Sequence, residues 1–168
     1  MKSRIAILII AVLSATSATA AADRGPSTPE ERQRFLTITQ KLQNDPLNKE
    51  LRSEREWALR WLIEVPDVHT RLCPGVLGDF SKSKYKYSPE ITGQLTFSSA
   101  AFVIQNPDQA TDDVAQYFAG AEGALNAYNA ILKTKPDAKS KPLDDLVEKQ
   151  KQGQLKSFVE QQASHVCK

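Results

Sequence analysis

His69 and Cys73 stand four residues apart in "VHTRLCPGVLG", and His165 and Cys167 stand two apart in "SHVCK"; the chain has no other histidine or cysteine. Imidazoles and thiols in these numbers admit three chemistries. A Cys2His2 zinc site usually draws its cysteines from one stretch and its histidines from another. Here each stretch supplies one of each, and His165 and Cys167 would face opposite sides of a helix. A thiol nucleophile needs an activated free cysteine with a base in reach. Neither a C-x-x-C pair nor a "CGSCW"-like stretch is present. The third chemistry is a disulfide. In an oxidising compartment two cysteines leave one intramolecular pairing, Cys73 with Cys167. It uses both cysteines, leaves no metal site, cofactor or catalytic residue to assign, and makes His69 and His165 neighbours of the bridge.

The compartment is read from the N-terminus. "MKSR" carries Lys2 and Arg4, "IAILIIAVL" is an apolar run, and "SATSATAAA" is a stretch of small residues with A-x-A matches. That order is the pattern of a cleaved secretory signal over residues 1–22, and the apolar run is about half of what a membrane span requires. The expected destination is the periplasm or the exterior of a bacterial cell. Of 22 basic and 20 acidic side chains in the chain, residues 1–22 hold two basic and no acidic ones. The remainder is balanced in charge, so it has no global field to draw in nucleic acid or an anionic membrane. Stable membrane insertion is not expected either.

Other candidate residues are fewer. "KSKYKY" sets Lys82, Lys84 and Lys86 among Tyr85 and Tyr87, and cations interleaved with aromatics can grip a polyanion, a glycan or a peptide. A solvated loop with its tyrosines folded onto the core would read the same way. Asp112-Asp113 and Asp144-Asp145 fall in first turns of expected helices, where negative charge is favoured. Glu54, Glu56 and Glu64 surround Trp57 and Trp61 as charged helix faces usually do. Walker, GxSxG, HExxH and EF-hand patterns are absent.

The elements that must position these residues are helical. "STPEERQRFLTITQKLQ" has a capping Ser27 or Thr28, an early proline and a stripe of Phe35, Ile38 and Leu42. A short polar tail precedes it. A second helix offers Leu51, Ala58, Leu59, Leu62 and Ile63 as its apolar face, with Trp57 and Trp61 beside it, and stops near Glu64 because Val65 precedes Pro66. Residues 66–88 read as an irregular segment. Ser88 caps a third, very apolar helix from about Pro89 to Gln105. A fourth runs from about Gln109 to Lys133 with Val114, Phe118, Ala121, Leu125, Tyr128, Ile131 and Leu132. The charged link "KTKPDAKSKP" leads to two shorter helices separated by Gly153.

The expectation is an all-α fold, one compact domain over residues 23–168, with five or six helices and one disulfide. In function the sequence points to an exported, non-enzymatic domain that binds a protein or a cell-envelope component. Two alternatives stand beside it. One is an exported hydrolase of envelope material working through Glu and Asp side chains. The other is an adaptor: "ALNAYNAILKTKPDAK" resembles the second helix of a tetratricopeptide unit, although the spacing to "EWALRWLIEVPD" departs from a period near 34 residues.

Overall fold

The computed structural model describes residues 24–167; the expected signal segment lies outside them. Six α-helices follow in order: α1 (Pro29–Asn44), α2 (Arg52–Glu64), α3 (Ser88–Gln105), α4 (Asp113–Thr134), α5 (Lys141–Lys151) and α6 (Leu155–Val166). Tighter 3-10 turns occupy Lys49–Leu51, Pro74–Lys82 and Pro107–Gln109. No strand occurs among the described residues. Counting the nine-residue segment Pro74–Lys82 gives seven helices, slightly above the expected five or six.

The helix ends follow local chemistry. Thr28 caps α1 in a reciprocal box: its hydroxyl accepts from the Glu31 amide, and Glu31 accepts from the Thr28 amide. Asp112 caps α4 by accepting from the Ala115 amide at 3.0 Å. Gly153, at φ +70°, supplies the left-handed residue between α5 and α6. Ser88 is not a cap. It is the first residue of α3, and its hydroxyl donates to the Tyr85 carbonyl at 2.8 Å. α4 starts at Asp113, later than the apolar periodicity suggests, because Pro107–Gln109 closes a separate turn first.

α3 and α4 form the tightest helix pair, and glycine permits the approach. A β-carbon at Gly120 would meet Ser99 and, at 2.8 Å, the Leu95 carbonyl oxygen; one at Gly123 would meet Ser98. α3 lies between two apolar clusters. Ile91 and Leu95 face the first, with Leu125, Tyr128, Ile131, Leu143, Leu155 and Val159. Phe97, Ala100 and Val103 face the second, with Phe35, Ile38, Leu42 and Trp61. A helix packed on both sides is apolar all round, which is why "FSSAAFVI" shows no clean stripe.

Several sequence expectations are corrected. α2 turns Ala58 and Trp61 inward and leaves Leu59 and Ile63 50% and 76% exposed. The Trp61 ring packs on Phe35 with centroids 4.9 Å apart. Burying an indole removes more apolar surface than burying a leucine, and Leu59 and Ile63 then fall on the outer face. On α4, Val114, Phe118 and Leu132 are only partly buried, while Gln116, Tyr117 and Ala124 are buried. The stretch 66–88 is also less irregular than expected, since Val76, Leu77 and Phe80 of its 3-10 segment are core residues. Finally, the polar tail docks. The Ser27 amide and hydroxyl donate to Asp67 at 2.9 Å each, and Arg32 pairs with the same carboxylate at 2.8 Å.

Candidate functional site

Cys73 and Cys167 form the disulfide, with Cα atoms 5.7 Å apart, across 94 residues of sequence. The bridge ties the last turn of α6 to the start of the 3-10 segment. His69 lines a shallow cleft with Arg71 and Asp113, and His165 is exposed on the last turn of α6. Neither belongs to a metal-ligating cluster among the described residues.

The tyrosines and lysines of "KSKYKY" are built into a cleft of about 640 Å³. One wall is Lys84–Tyr87, leading into α3. The other is Thr134–Lys139, the link that leaves the C-terminus of α4. The tyrosines are rigid because they are half core. Tyr85 packs edge-on against Phe80, Tyr87 and Tyr128. Its hydroxyl donates to the Ala138 carbonyl at 2.8 Å, which joins the two walls. Burial, then the nearby Tyr87, Asp144 and Glu90 groups, push the Tyr85 phenol up to about 12. It therefore stays neutral at physiological pH and serves as a donor and a floor, not as an acid or base.

Tyr128 anchors the far wall from below. Its hydroxyl donates to Asp144 at 2.7 Å and accepts from the Ser140 amide at 2.9 Å. Burial, followed by the Asp144 hydrogen bond, raises its pKa. Asp144 lies in the first turn of α5, as expected, and also takes up a buried phenol. The link between α4 and α5 is thus held in place by two tyrosines 43 residues apart in sequence.

The lysines, in contrast, are free. Lys84, Lys86, Lys135 and Lys139 line the cleft, and all four are exposed. None of them has a salt-bridge partner among the described residues, and Asp137 is the only acid in the cleft wall. The Lys86 ammonium stands 5.4 Å from the Tyr87 ring centroid. Lys82, grouped with them by sequence, stands apart: it approaches Asp79 at 3.9 Å and lines a different depression beside Phe158 and Val166. Lys135 and Lys139 are the members that sequence reading did not supply. Their signal was the charge density of "KTKPDAKSKP", but its proximity to "KSKYKY" depends on a contact 53 residues long.

The remaining acidic candidates are absorbed by structure. Glu54 pairs with Lys41 at 3.0 Å and Glu56 with Arg52 at 2.9 Å. Asp113 approaches Arg71 at 3.6 Å, and Asp145 pairs with Lys141 at 3.0 Å. Glu64 is exposed at the end of α2. One carboxyl is different: burial raises the pKa of Glu122, which lines a groove between α1, α3 and α4.

The chain matches no family model, no curated protein and no solved structure. No described helix is long and apolar enough to cross a membrane.

Proposed function

We propose that this chain is an exported, non-enzymatic binding domain whose lysine cleft holds an anionic group of a cell-envelope component. The observation that carries the reading is the cleft itself. Two lysine-rich stretches, Lys84–Lys86 and Lys135–Lys139, meet over a fixed tyrosine floor with four unpaired ammonium groups and one carboxylate. Ammonium groups already paired would have to give up a partner to take a ligand; these do not. Tyrosine faces beside them favour a ligand that alternates anionic groups with flat or apolar ones. Export is supported by the signal-like N-terminus and by the disulfide, which persists in oxidising compartments.

Glu122 is the observation that favours the hydrolase alternative, since a carboxyl with a raised pKa in a cleft is what acid catalysis needs. Glycoside hydrolysis, however, works through two carboxyl groups flanking one bond. Glu122 is the sole carboxylate lining its groove, and neither histidine lines it. The adaptor alternative requires helix pairs repeating near 34 residues. The pairs here begin at Pro29, Ser88 and Lys141 and differ in length.

The test replaces Lys84, Lys86, Lys135 and Lys139 with Gln and measures binding to immobilised inorganic polyphosphate, with an acidic peptide and neutral dextran as comparison surfaces. The expected result is salt-sensitive binding to polyphosphate by the parent chain, at least tenfold weaker in the variant, with the melting temperature unchanged. Equal binding by both proteins would remove the cleft from function. Binding to the acidic peptide alone would move the ligand from an envelope polymer to a protein.

A further inference from the structure

A second groove lies between α1, α3 and α4, and its chemistry is the reverse of the lysine cleft. The groove encloses about 470 Å³, within the range of small-ligand sites. Its polar lining is dominated by carboxamides, among them Gln40, Gln43, Gln105 and Asn126, and no lysine, arginine or histidine contributes to it. These four amides have no hydrogen-bond partner among the described residues, so both their donors and their acceptors are available.

Two groups at this groove lack a partner, and one of them, Glu122, is placed to meet a ligand. Glu122 has no salt bridge, although its surroundings are desolvated enough to disfavour the charged form. Thr39 in the groove wall is 5% exposed, and its hydroxyl is sealed from the groove without a partner of its own. Its neighbour Gln94 does not relieve it: the Gln94 amide donates to the Thr39 carbonyl and to Ser98 instead.

We propose that this groove binds an organic cation carrying several N–H donors, a primary ammonium or guanidinium group, with Glu122 as its counter-ion. A lone carboxylate in a partly dry site attracts a cation, and charge-assisted hydrogen bonds are about twice as strong as neutral ones. The carboxamides accept the remaining N–H groups and donate to any hydroxyl or carbonyl beside them. A divalent metal ion fits less well, because hard cations gather six or more oxygen ligands, usually with more than one carboxylate. The groove is too narrow in chemistry for a polyanion, so it does not duplicate the lysine cleft and does not depend on it.

The cation can come from a free small amine or from an arginine side chain of another protein, and the experiment separates the two. The full chain is titrated with agmatine and, separately, with an arginine-containing peptide blocked at both ends. The same peptide with citrulline in place of arginine is the neutral control. Amide nuclear magnetic resonance shifts report the site. The expected result is saturable shifts of the Gln40, Gln105 and Asn126 side-chain amides with at least one cationic probe, and none with the citrulline peptide. Glu122→Gln should weaken binding at least tenfold while the variant keeps the parent's spectrum elsewhere and melts no lower. Saturation by agmatine alone assigns a free amine; saturation by the peptide alone assigns a protein's arginine. Absence of saturable shifts with both probes, or equal affinity in Glu122→Gln, would overturn the proposal.

Discussion

Removing the disulfide by replacing Cys73 and Cys167 with Ser should destabilise the chain in two separable ways. The bridge spans 94 residues of sequence, and releasing a loop of that length gives the unfolded chain about 4 to 5 kcal/mol of conformational entropy. This is an upper bound, because the native state also relaxes. The structure shows where. Leu155 and Val159 are 2% and 0% exposed and hold the first half of α6 in the core. Beyond Val159, residues Glu160, Gln161, Ser164 and His165 are exposed, and Val166 is 52% exposed. The last turns therefore rest on Ala163, on the inner side of Val166 against Gly75, on the Cys167 amide donating to the Ala163 carbonyl at 3.2 Å, and on the bridge. Without the bridge these turns should fray while the rest of α6 stays docked, and the net loss should be about 2 to 4 kcal/mol. That is a large share of the roughly 5 to 15 kcal/mol that holds an average domain together. Urea unfolding gives the total, and hydrogen exchange locates it. The amides from Gln162 to Cys167 should lose protection, those of Phe158 and Val159 much less. The oxidised parent should carry no free thiol, with or without a chelator. A loss below about 1 kcal/mol with full protection at the C-terminus would refute the tether argument.

Two further outcomes follow from the packing and the charges. Gly120→Ala should destabilise, reversing the roughly 1 kcal/mol gain that this change gives in an open helix. The added carbon would sit 2.8 Å from the Leu95 carbonyl oxygen, and such overpacking costs about 1–3 kcal/mol; thermal melting decides the sign. Asp67 governs acid sensitivity at the N-terminal arm. Burial pushes its carboxyl up, but the Ser27 amide, the Arg32 guanidinium and the Ser27 hydroxyl outweigh it and hold it at about 2, against an ordinary 3.8. A carboxyl lowered on folding stabilises above its unfolded pKa, so this contribution is intact above about pH 4 and is lost as pH falls through 3.8 toward 2. After solvent screening it amounts to about 1 kcal/mol. Asp67→Asn should remove that part of the pH dependence and lower stability at pH 7 by a similar amount, read from urea midpoints at pH 7, 4 and 2.5.

What was legible in the sequence was local. The capping Thr28, the stripe Phe35–Ile38–Leu42 and the all-round apolar α3 each carry their signal within one turn or one helix. The disulfide was legible for another reason: two cysteines allow one pairing. What was not legible depends on a choice between competing faces or on distant contacts. α2 offers Leu59 and Ile63 or the tryptophans to the core, and Phe35 on another helix decides it. "KSKYKY" reads equally as a patch or as a loop until Tyr85 meets Ala138; the structure then makes it both, tyrosines inward and three lysines outward. The carboxamide groove left no trace at all, because exposed glutamines on helices are what solvated faces normally carry.

Charge balance takes on a different meaning once these positions are known. Beyond residue 22 the chain has as many basic as acidic side chains, and a neutral sum argues against attraction at long range. It says little about contact. At physiological salt the screening length is about 8 Å, so a charge acts on what touches it and on little else. A large part of the chain's charge is spent on neighbours: Lys41 on Glu54, Arg52 on Glu56, Lys141 on Asp145, Arg32 on Asp67. Some of those left over are gathered. Four lysines share one cleft with a single aspartate, and Glu122 stands in a groove without a basic residue. The result is two local fields of opposite sign in a stretch whose sum beyond residue 22 is zero. As binding sites, the roles proposed for them, each would select a ligand by charge at contact range while exerting little pull on oppositely charged molecules in bulk. Affinity at either site would then rest on slow release, not on fast steered capture.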